Sequence, residues 1–383
     1  MFPKKGASEE EVLAELEEKT SEDLTFDSGR ILGSMCTNPH PFAAEVVRRY
    51  IDRNLGDPGL HTGSQKIEEE AIRMLSNLLS LERGYGNIVS GGTEANILAV
   101  RAFRNLADVE NPELILPRSA HFSFLKASEM LKVRLVWADL REDYSVDVKD
   151  VEEKITDNTI GIVGIAGTTG LGVVDDIPAL SDLALDYGLP LHVDAAFGGF
   201  VIPFAKALGY DLPDFDFRLK GVKSVTIDPH KMGMVPIPAG GIIFRDKKFL
   251  KAISVPAPYL AGGKVWQATI TGTRPGANAL AVWAMIKHLG FEGYKEVVRN
   301  AMELSRWFAG ELKKIPGVHL IREPVLNIVS FGTENLEEVE RGLKKRGWGV
   351  SAHRGYIRIV MMPHVRREHL EEFLRDLKEI ITR

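Results

Sequence analysis

The chain has 383 residues, more than a single hydrophobic core usually serves, so two packing units are expected. Its residues are 44% hydrophobic and 26% charged, with a net charge of −5 and both signs interspersed. That is an ordinary globular composition and argues against a nucleic-acid partner, which leaves a basic patch or stripe. No apolar run approaches the ~20 residues of a membrane span, and the N-terminus has no apolar signal core, so a cytoplasmic protein without a membrane partner is expected. Cys36 is the only cysteine, which excludes an intrachain disulfide and a cysteine-based metal cluster; nothing else points to a metal. Glutamine is confined to Gln65 and Gln267 while Glu, Lys and Arg are plentiful, a composition found in thermophile proteins.

Residues 8–19 place Val12, Leu13 and Leu16 at helical spacing, with Ser8 as N-cap and Glu11 three residues on. Residues 26–64 are rich in Gly, Pro, Asn and His and read as loops around one helix over 41–53. Such an arm covers a partner subunit or an active-site mouth, or is a simple surface extension. A long helix is expected over 64–81. From residue 87 the pattern becomes strand, loop, helix, strand. Strands are expected over 87–90, 114–117, 133–138, 159–166, 189–194, 224–227 and 241–244, with helices over 91–106, 121–131, 148–155 and 177–187. The strands are nearly all apolar, as in a mostly parallel sheet covered on both faces, so the fold class is α/β. A helix over 277–289 follows Gly272-Thr-Arg-Pro-Gly276. Then come helix 293–314, strands 318–322 and 327–331, helix 335–346, strands 348–351 and 356–361, and helix 366–381. The expected division is an N-terminal helical and loop arm (1–63), a large α/β domain (64–290) and a small C-terminal α+β domain (291–383).

Ligands of open α/β sheets bind outside the carboxyl ends of the strands. Four stretches, 90–93, 167–170, 194–196 and 228–231, each follow a predicted strand directly. Ser90-Gly-Gly-Thr93 opens a helix through two glycines, where free N–H groups, the helix dipole and two hydroxyls suit an anion. Taken alone it is equally a turn with Thr93 as N-cap. Neither a dinucleotide fingerprint nor a P-loop is present, so the anion does not belong to a dinucleotide or to ATP. Asp194, ending an apolar strand, needs a facing donor such as a pyridinium N–H, or else caps a helix. His121 opens a helix and is either a flat ring for an aromatic cofactor or an ordinary helix-start histidine. The strand over 224–227 bends at Pro229 and presents His230 and Lys231. A lysine there is ordinarily solvated; beside three complementary strand ends it reads as a Schiff-base residue for an aldehyde cofactor.

Together these motifs resemble the fold-type I pyridoxal-phosphate enzymes, and within them the group II amino-acid decarboxylases, above all the archaeal L-tyrosine/L-aspartate decarboxylases. The resemblance rests on Gly56-Asp-Pro-Gly59, Ser90-Gly-Gly-Thr-Glu-Ala-Asn96, Ala120-His-Phe-Ser123, Gly167-Thr-Thr169, His192-Val-Asp-Ala-Ala-Phe-Gly-Gly199, Asp228-Pro-His-Lys-Met-Gly233, Gly272-Thr-Arg274 and Arg358-Ile-Val-Met-Met-Pro-His364, in family order across almost the whole chain. It implies a fold-type I transferase fold and pyridoxal 5'-phosphate as cofactor. Lys231 then carries the cofactor as a Schiff base. Ser90, Gly91, Gly92 and Thr93 hold its phosphate, with His230 alongside and Asp228 in the same site. His121 stacks on the ring, Ala196 lies beneath it and Asp194 meets its nitrogen. Thr168 or Thr169 lies near the phenolic oxygen or the substrate carboxylate. Gly272 and Thr273 reach the phosphate of a neighbouring subunit, which implies a homodimer with shared sites. Arg358 clamps the substrate α-carboxylate.

The segment between Lys231 and Gly272 is short beside that of larger animal and bacterial decarboxylases, whose mobile loop carries a catalytic tyrosine. Tyr259 is the nearest counterpart here, and His121, Tyr259 or a water returns the proton to Cα. Aspartate as substrate needs a second cation, for which His61, His353, Arg354 and Lys264 are candidates; tyrosine needs an aromatic pocket. The composition and the resemblance favour aspartate, giving β-alanine for coenzyme A synthesis, over tyrosine, giving tyramine, or glutamate. An aminotransferase, a carbon–carbon lyase and a non-enzyme that kept the fold are the other readings.

Overall fold

A computed structural model describes residues 2–382 other than Gly262, Lys264, Ser351 and Arg354. Local signals set its first elements. Ser8 Oγ accepts from Glu11 N at 3.2 Å and Ser8 N donates to Glu11 Oε2 at 2.9 Å, a capping box that starts α1 (Glu9–Lys19). α2 (Pro41–Arg49) opens on a proline, whose missing N–H is no loss in a first turn. It stops short of residue 53 because the chain turns there to bridge Asn54 to Pro275. α3 (Thr62–Leu78) then leads to the sheet.

Strands β1 (Tyr85–Val89), β2 (Glu113–Pro117), β3 (Arg134–Ala138), β4 (Thr159–Ile165), β5 (Leu191–Asp194), β6 (Val222–Ile227) and β7 (Gly240–Phe244) form one sheet, in the order β1-β7-β6-β5-β4-β2-β3. The pairs from β3 through β6 are parallel, while β7 runs antiparallel to both β6 and β1. Its helical neighbours in sequence are α4 (Gly92–Leu106), α5 (Ser123–Leu131), α6 (Val148–Glu153), α7 (Ile177–Asp186), α8 (Ile202–Ala207) and α9 (Lys247–Ile253). β4 is buried throughout. A Cβ on its Gly161 would lie 2.6 Å from Phe103 of α4, and one on Gly164 would lie 2.5 Å from Ile177 of α7. Residues three apart on a strand face opposite ways, so glycine lets a helix close down on each side. This is the expected mostly parallel sheet between helical layers.

Between Lys231 and Gly272 the sequence reading contained only the strand that becomes β7. The structure adds α9 and a hairpin of β8 (Val255–Ala257) and β9 (Val265–Gln267). The two helices expected over 277–289 and 293–314 run end to end as α10 (Gly276–Leu312), divided at Gly290, whose φ of 58° and ψ of −170° leave the helical region and suit glycine. Beyond it β10 (Val318–Leu320), β11 (Ile328–Thr333), β12 (Ala352–His353) and β13 (Tyr356–Val360) pair antiparallel in the order β10-β11-β13-β12, with α11 (Leu336–Lys345) and α12 (Arg367–Ile381) against them. No strand covers 348–350 among the described residues. Trp348 instead turns inward and donates from Nε1 to Asp376 Oδ2 at 2.7 Å, and Gly349 makes only a bridge to Ile31. One apolar cluster runs from Leu32 to Leu377 through both sheets, and no helix among the described residues is long and apolar enough to cross a membrane.

Candidate active site

The parallel strands end on one edge, and the loops leaving them enclose a cavity of about 360 Å³. Lys231 enters it from the turn after β6, where its N–H donates to Asp228 O at 3.1 Å. Its Nζ lies 3.1 Å from Asp228 Oδ2, and Asp228 is 2% exposed with Oδ1 unpartnered. His230 Nδ1 accepts from Ala239 N at 3.3 Å, which puts the ring proton on Nε2, 3.7 Å from Asp228 Oδ2. Burial pushes the His230 pKa down, so the ring stays neutral.

On the far side of Asp228 lies the first turn of α4. Gly91 is its N-cap, not Thr93, and no side chain caps it. The N–H groups of Gly92 and Thr93 precede the first intrahelical bond, from Ala95 N to Gly91 O. A side chain at either glycine would crowd the site: a Cβ on Gly91 would lie 3.0 Å from His230 Cε1, and one on Gly92 2.9 Å from Asp228 Oδ2. Glu94 ties this turn to its surroundings, accepting from Ser90 N at 2.8 Å and from Ile270 N at 3.0 Å.

Asp194, at the end of β5, is 6% exposed. Its Oδ1 accepts from Ala196 N at 3.1 Å and its Oδ2 from Asn96 Nδ2 at 2.8 Å, so it serves a turn and a neighbouring helix rather than capping one. His121, from the loop after β2, lines the cavity, and its Nδ1 accepts from Ser123 N at 3.2 Å. Burial lowers its pKa against the opposing pull of Asp194, leaving a neutral imidazole. Thr169 lines the cavity after β4, and its carbonyl accepts from Arg358 Nη1 at 2.7 Å. Arg358 Nη2 donates to Gly33 O, and burial lowers the guanidinium pKa. Among the described residues no carboxylate pairs with it.

Ser90, Gly91, Gly92, Thr93, His121, Asp194, Ala196, Asp228, His230 and Lys231 thus meet in one place, as expected. Others do not. Thr168 is 3% exposed with its hydroxyl accepting from Val173 N at 3.0 Å, so Thr169 and not Thr168 faces the cavity. Tyr259 is 83% exposed on the β8–β9 turn, away from this cavity. Gly272 lines a separate groove of about 1130 Å³ with Gln267 and Arg274, and Thr273 follows on the same loop. His61 is the N-cap residue of α3 with a side chain that makes no capping bond, and His353 is exposed on β12. Lys264 and Arg354 lie outside the described residues. Sequence reasoning gave no role to Met35, Ser119, Phe122 or Phe197, which line the cavity, or to Asn96, which meets Asp194. Asn96 was within reach, since it follows Gly92 by one helical turn and so shares its face; Met35 carried no signal.

The donor set fits pyridoxal phosphate. A side-chain-free helix start suits the phosphate, a primary amine the aldehyde, a buried carboxylate the ring nitrogen and a neutral imidazole the ring face. Ser119 Oγ and Asp228 Oδ1, both buried without a protein partner, await polar atoms that a ligand would bring. The sheet order and this cavity at its parallel edge define a fold-type I pyridoxal-phosphate enzyme. The pyridoxal-dependent decarboxylase conserved domain matches residues 43–334, and the chain belongs to that family. It is 84% identical over 383 residues to the L-aspartate decarboxylase of Thermococcus kodakarensis, with 100% of each chain covered. It is 76% identical over 381 residues to the L-aspartate/L-glutamate decarboxylase of Pyrococcus horikoshii, again with 100% of each covered. Among solved structures it resembles a sphingosine-1-phosphate lyase of Burkholderia pseudomallei at 30% identity and a TM-score of 0.92, over 100% of this chain and 92% of that one. The cofactor is pyridoxal phosphate and the reaction is amino-acid decarboxylation.

Proposed function

We propose that the protein removes the α-carboxylate of L-aspartate to give β-alanine, a precursor for coenzyme A, and works in the cytoplasm as a homodimer. The observation that carries the reading is Lys231 Nζ, 3.1 Å from Asp228 in the same cavity as Asp194 and His121. The names of the archaeal relatives support aspartate, and the Pyrococcus horikoshii name favours glutamate as the second substrate.

When bound, pyridoxal phosphate supplies a protonated ring that takes up the electron pair left by the departing carboxylate. Lys231 is the amine for its aldehyde, and Asp228 holds the Nζ proton whenever that amine is free. The N–H groups of Gly92 and Thr93, with the Ser90 and Thr93 hydroxyls, take the phosphate beside His230. Asp194 keeps a proton on the ring nitrogen. His121, uncharged at rest, lies against the ring and, once it has taken up a proton from solvent, returns one to the substrate Cα; Ala196 packs on the other side. Arg358, its fork held by Thr169 O and Gly33 O, has further N–H groups for the α-carboxylate. Thr169 rather than Thr168 serves the phenolic oxygen. The break at Gly290 separates the large domain from the small one, and residues 1–63 form the arm that brings Met35 to the cavity.

Gly272, Thr273, His61 and Tyr259 serve a second copy's site on this reading. Gln267 Nε2 donates to Gly56 O at 2.6 Å and Ala261 N to Asp57 Oδ2 at 3.4 Å, joining the 56–59 loop to the hairpin as one surface unit. Assays of amine production by the purified protein with cofactor, across aspartate, glutamate and tyrosine, test the substrate. β-Alanine is expected to dominate, and tyramine in excess of it would overturn the choice. Lys231→Ala is expected to fold, lose the visible absorption band of the bound cofactor, and drop turnover by about a thousandfold or more. Retained turnover would assign the amine elsewhere.

A further inference from the structure

Asp194 is held by a run of hydrogen bonds that the roles above leave unused. A carboxylate only accepts, so the 2.8 Å contact with Asn96 fixes that amide with its nitrogen toward Asp194 Oδ2. Asn96 Nδ2 also donates to Ser123 Oγ at 3.0 Å. Its Oδ1 therefore receives His192 Nε2 at 3.0 Å and Thr226 Oγ1 at 2.7 Å. Because Oδ1 only accepts, His192 carries its proton on Nε2, and its Nδ1 accepts from Ser224 Oγ at 2.8 Å. Every hydrogen in the run Ser224, His192, Asn96, Asp194 thus points toward the carboxylate.

The fold builds this run from three elements. His192 pairs with Ser224 and Asp194 with Thr226 across β5 and β6, so the four side chains share one face of the sheet. α4 crosses that face and adds Asn96, which also lines the cavity. Ser224, His192, Asn96 and Asp194 are 0%, 1%, 1% and 6% exposed. Hydrogen bonds aligned head to tail at low dielectric polarise one another, and a strengthened donor favours the ionised form of its acceptor.

We propose that Asn96 is a positioning residue for the decarboxylation. Oriented by His192, it keeps Asp194 turned to the cavity and aligned with the cofactor's ring nitrogen, and so keeps the proton there. This rests on the reading of Asp194 as the partner of that nitrogen. Without the amide the carboxylate turns away from the ring nitrogen, which then holds its proton less firmly, and the ring becomes a weaker electron acceptor.

The test uses holoenzyme loaded with pyridoxal phosphate labelled with nitrogen-15 in the ring, whose chemical shift reports ring protonation as pH is varied. In Asn96→Ala the ring nitrogen is expected to lose its proton at least about one pH unit below the wild type, a tenfold change in that equilibrium. kcat is expected to fall about tenfold with KM little changed. An unaltered nitrogen titration would overturn the proposal. His192→Gln, which keeps an amide N–H for Asn96 Oδ1, is expected to titrate like the wild type, while His192→Leu shifts as Asn96→Ala does. Identical behaviour of the two His192 variants would refute the oriented run, and this pair decides the matter should Asn96→Ala fail to fold. Asp194→Asn is the reference. An unchanged ring nitrogen there refutes the Asp194 reading itself, whereas a shift there with none in Asn96→Ala refutes only the role of Asn96.

Discussion

His192 stands at 1% exposure, and burial pulls its pKa from 6.5 down to about 4. Below pH 6.5 the unfolded chain takes up a proton that the folded ring refuses, so acid favours unfolding. The stability that the neutral ring contributes is whole above about pH 6.5 and disappears as pH falls through about 4, at most about 3 kcal/mol. His192→Gln is expected to flatten the fall of the denaturation midpoint between those pH values; an undiminished fall would place the acid-sensitive group elsewhere. Lys231, Asp194 and His121 were legible as residues because each follows an apolar strand within a short Gly- or His-marked motif. Thr168 and Thr169 were not separable, since the backbone turns at Gly167, with a φ of 101°, and the Val173 N–H claims the first hydroxyl. His192 read only as a strand residue two places before Asp194, because its partners come from 96 and 32 residues away.

The Gly272 loop owes its place to a neighbour that sequence position does not disclose. Arg274 pairs with Glu68 of α3 through both Nη atoms, with side chains 12% and 6% exposed, and Arg274 Nη1 donates to Ile88 O of β1 at 2.9 Å. Removing one member of a buried pair strands the other, so Arg274→Ala is expected to cost about 3–5 kcal/mol. The double variant Arg274→Met, Glu68→Leu is expected to recover much of it, measured by denaturant unfolding; equal losses in both would show that the cost lies in losing the pair's own bonds and not in a stranded charge. The parallel strands and their helices were readable from runs of buried apolar residues bounded by turn signals. α8, α9 and the β8–β9 hairpin were not, because elements of seven residues or fewer take their stability from tertiary contacts rather than from periodicity. Over 348–350, the described part of the strand expected at 348–351, no strand forms for a related reason, Trp348 being drawn into the core.

At the scale of the molecule the question is which residues complete a site. If Thr273 serves a second copy, then Lys231→Ala and Thr273→Arg, each inactive alone, are expected to regain about a quarter of wild-type activity when mixed and reassociated, since half of the dimers carry one intact site of two. No recovery, with mixed dimers demonstrated, would return Thr273 to its own chain. Composition and charge spoke only to class, and the substrate rested on resemblance, because Lys231 identifies what is held and not what is brought to it. The central claim is loss of the α-carboxylate of L-aspartate. Its most direct test supplies the holoenzyme with L-aspartate carrying carbon-13 in one carboxyl group at a time and follows products by NMR. Label in the α-carboxylate is expected to leave as carbon dioxide, and label in the side-chain carboxylate to remain in β-alanine. Release of the side-chain label with formation of alanine, or release of neither, would contradict the account.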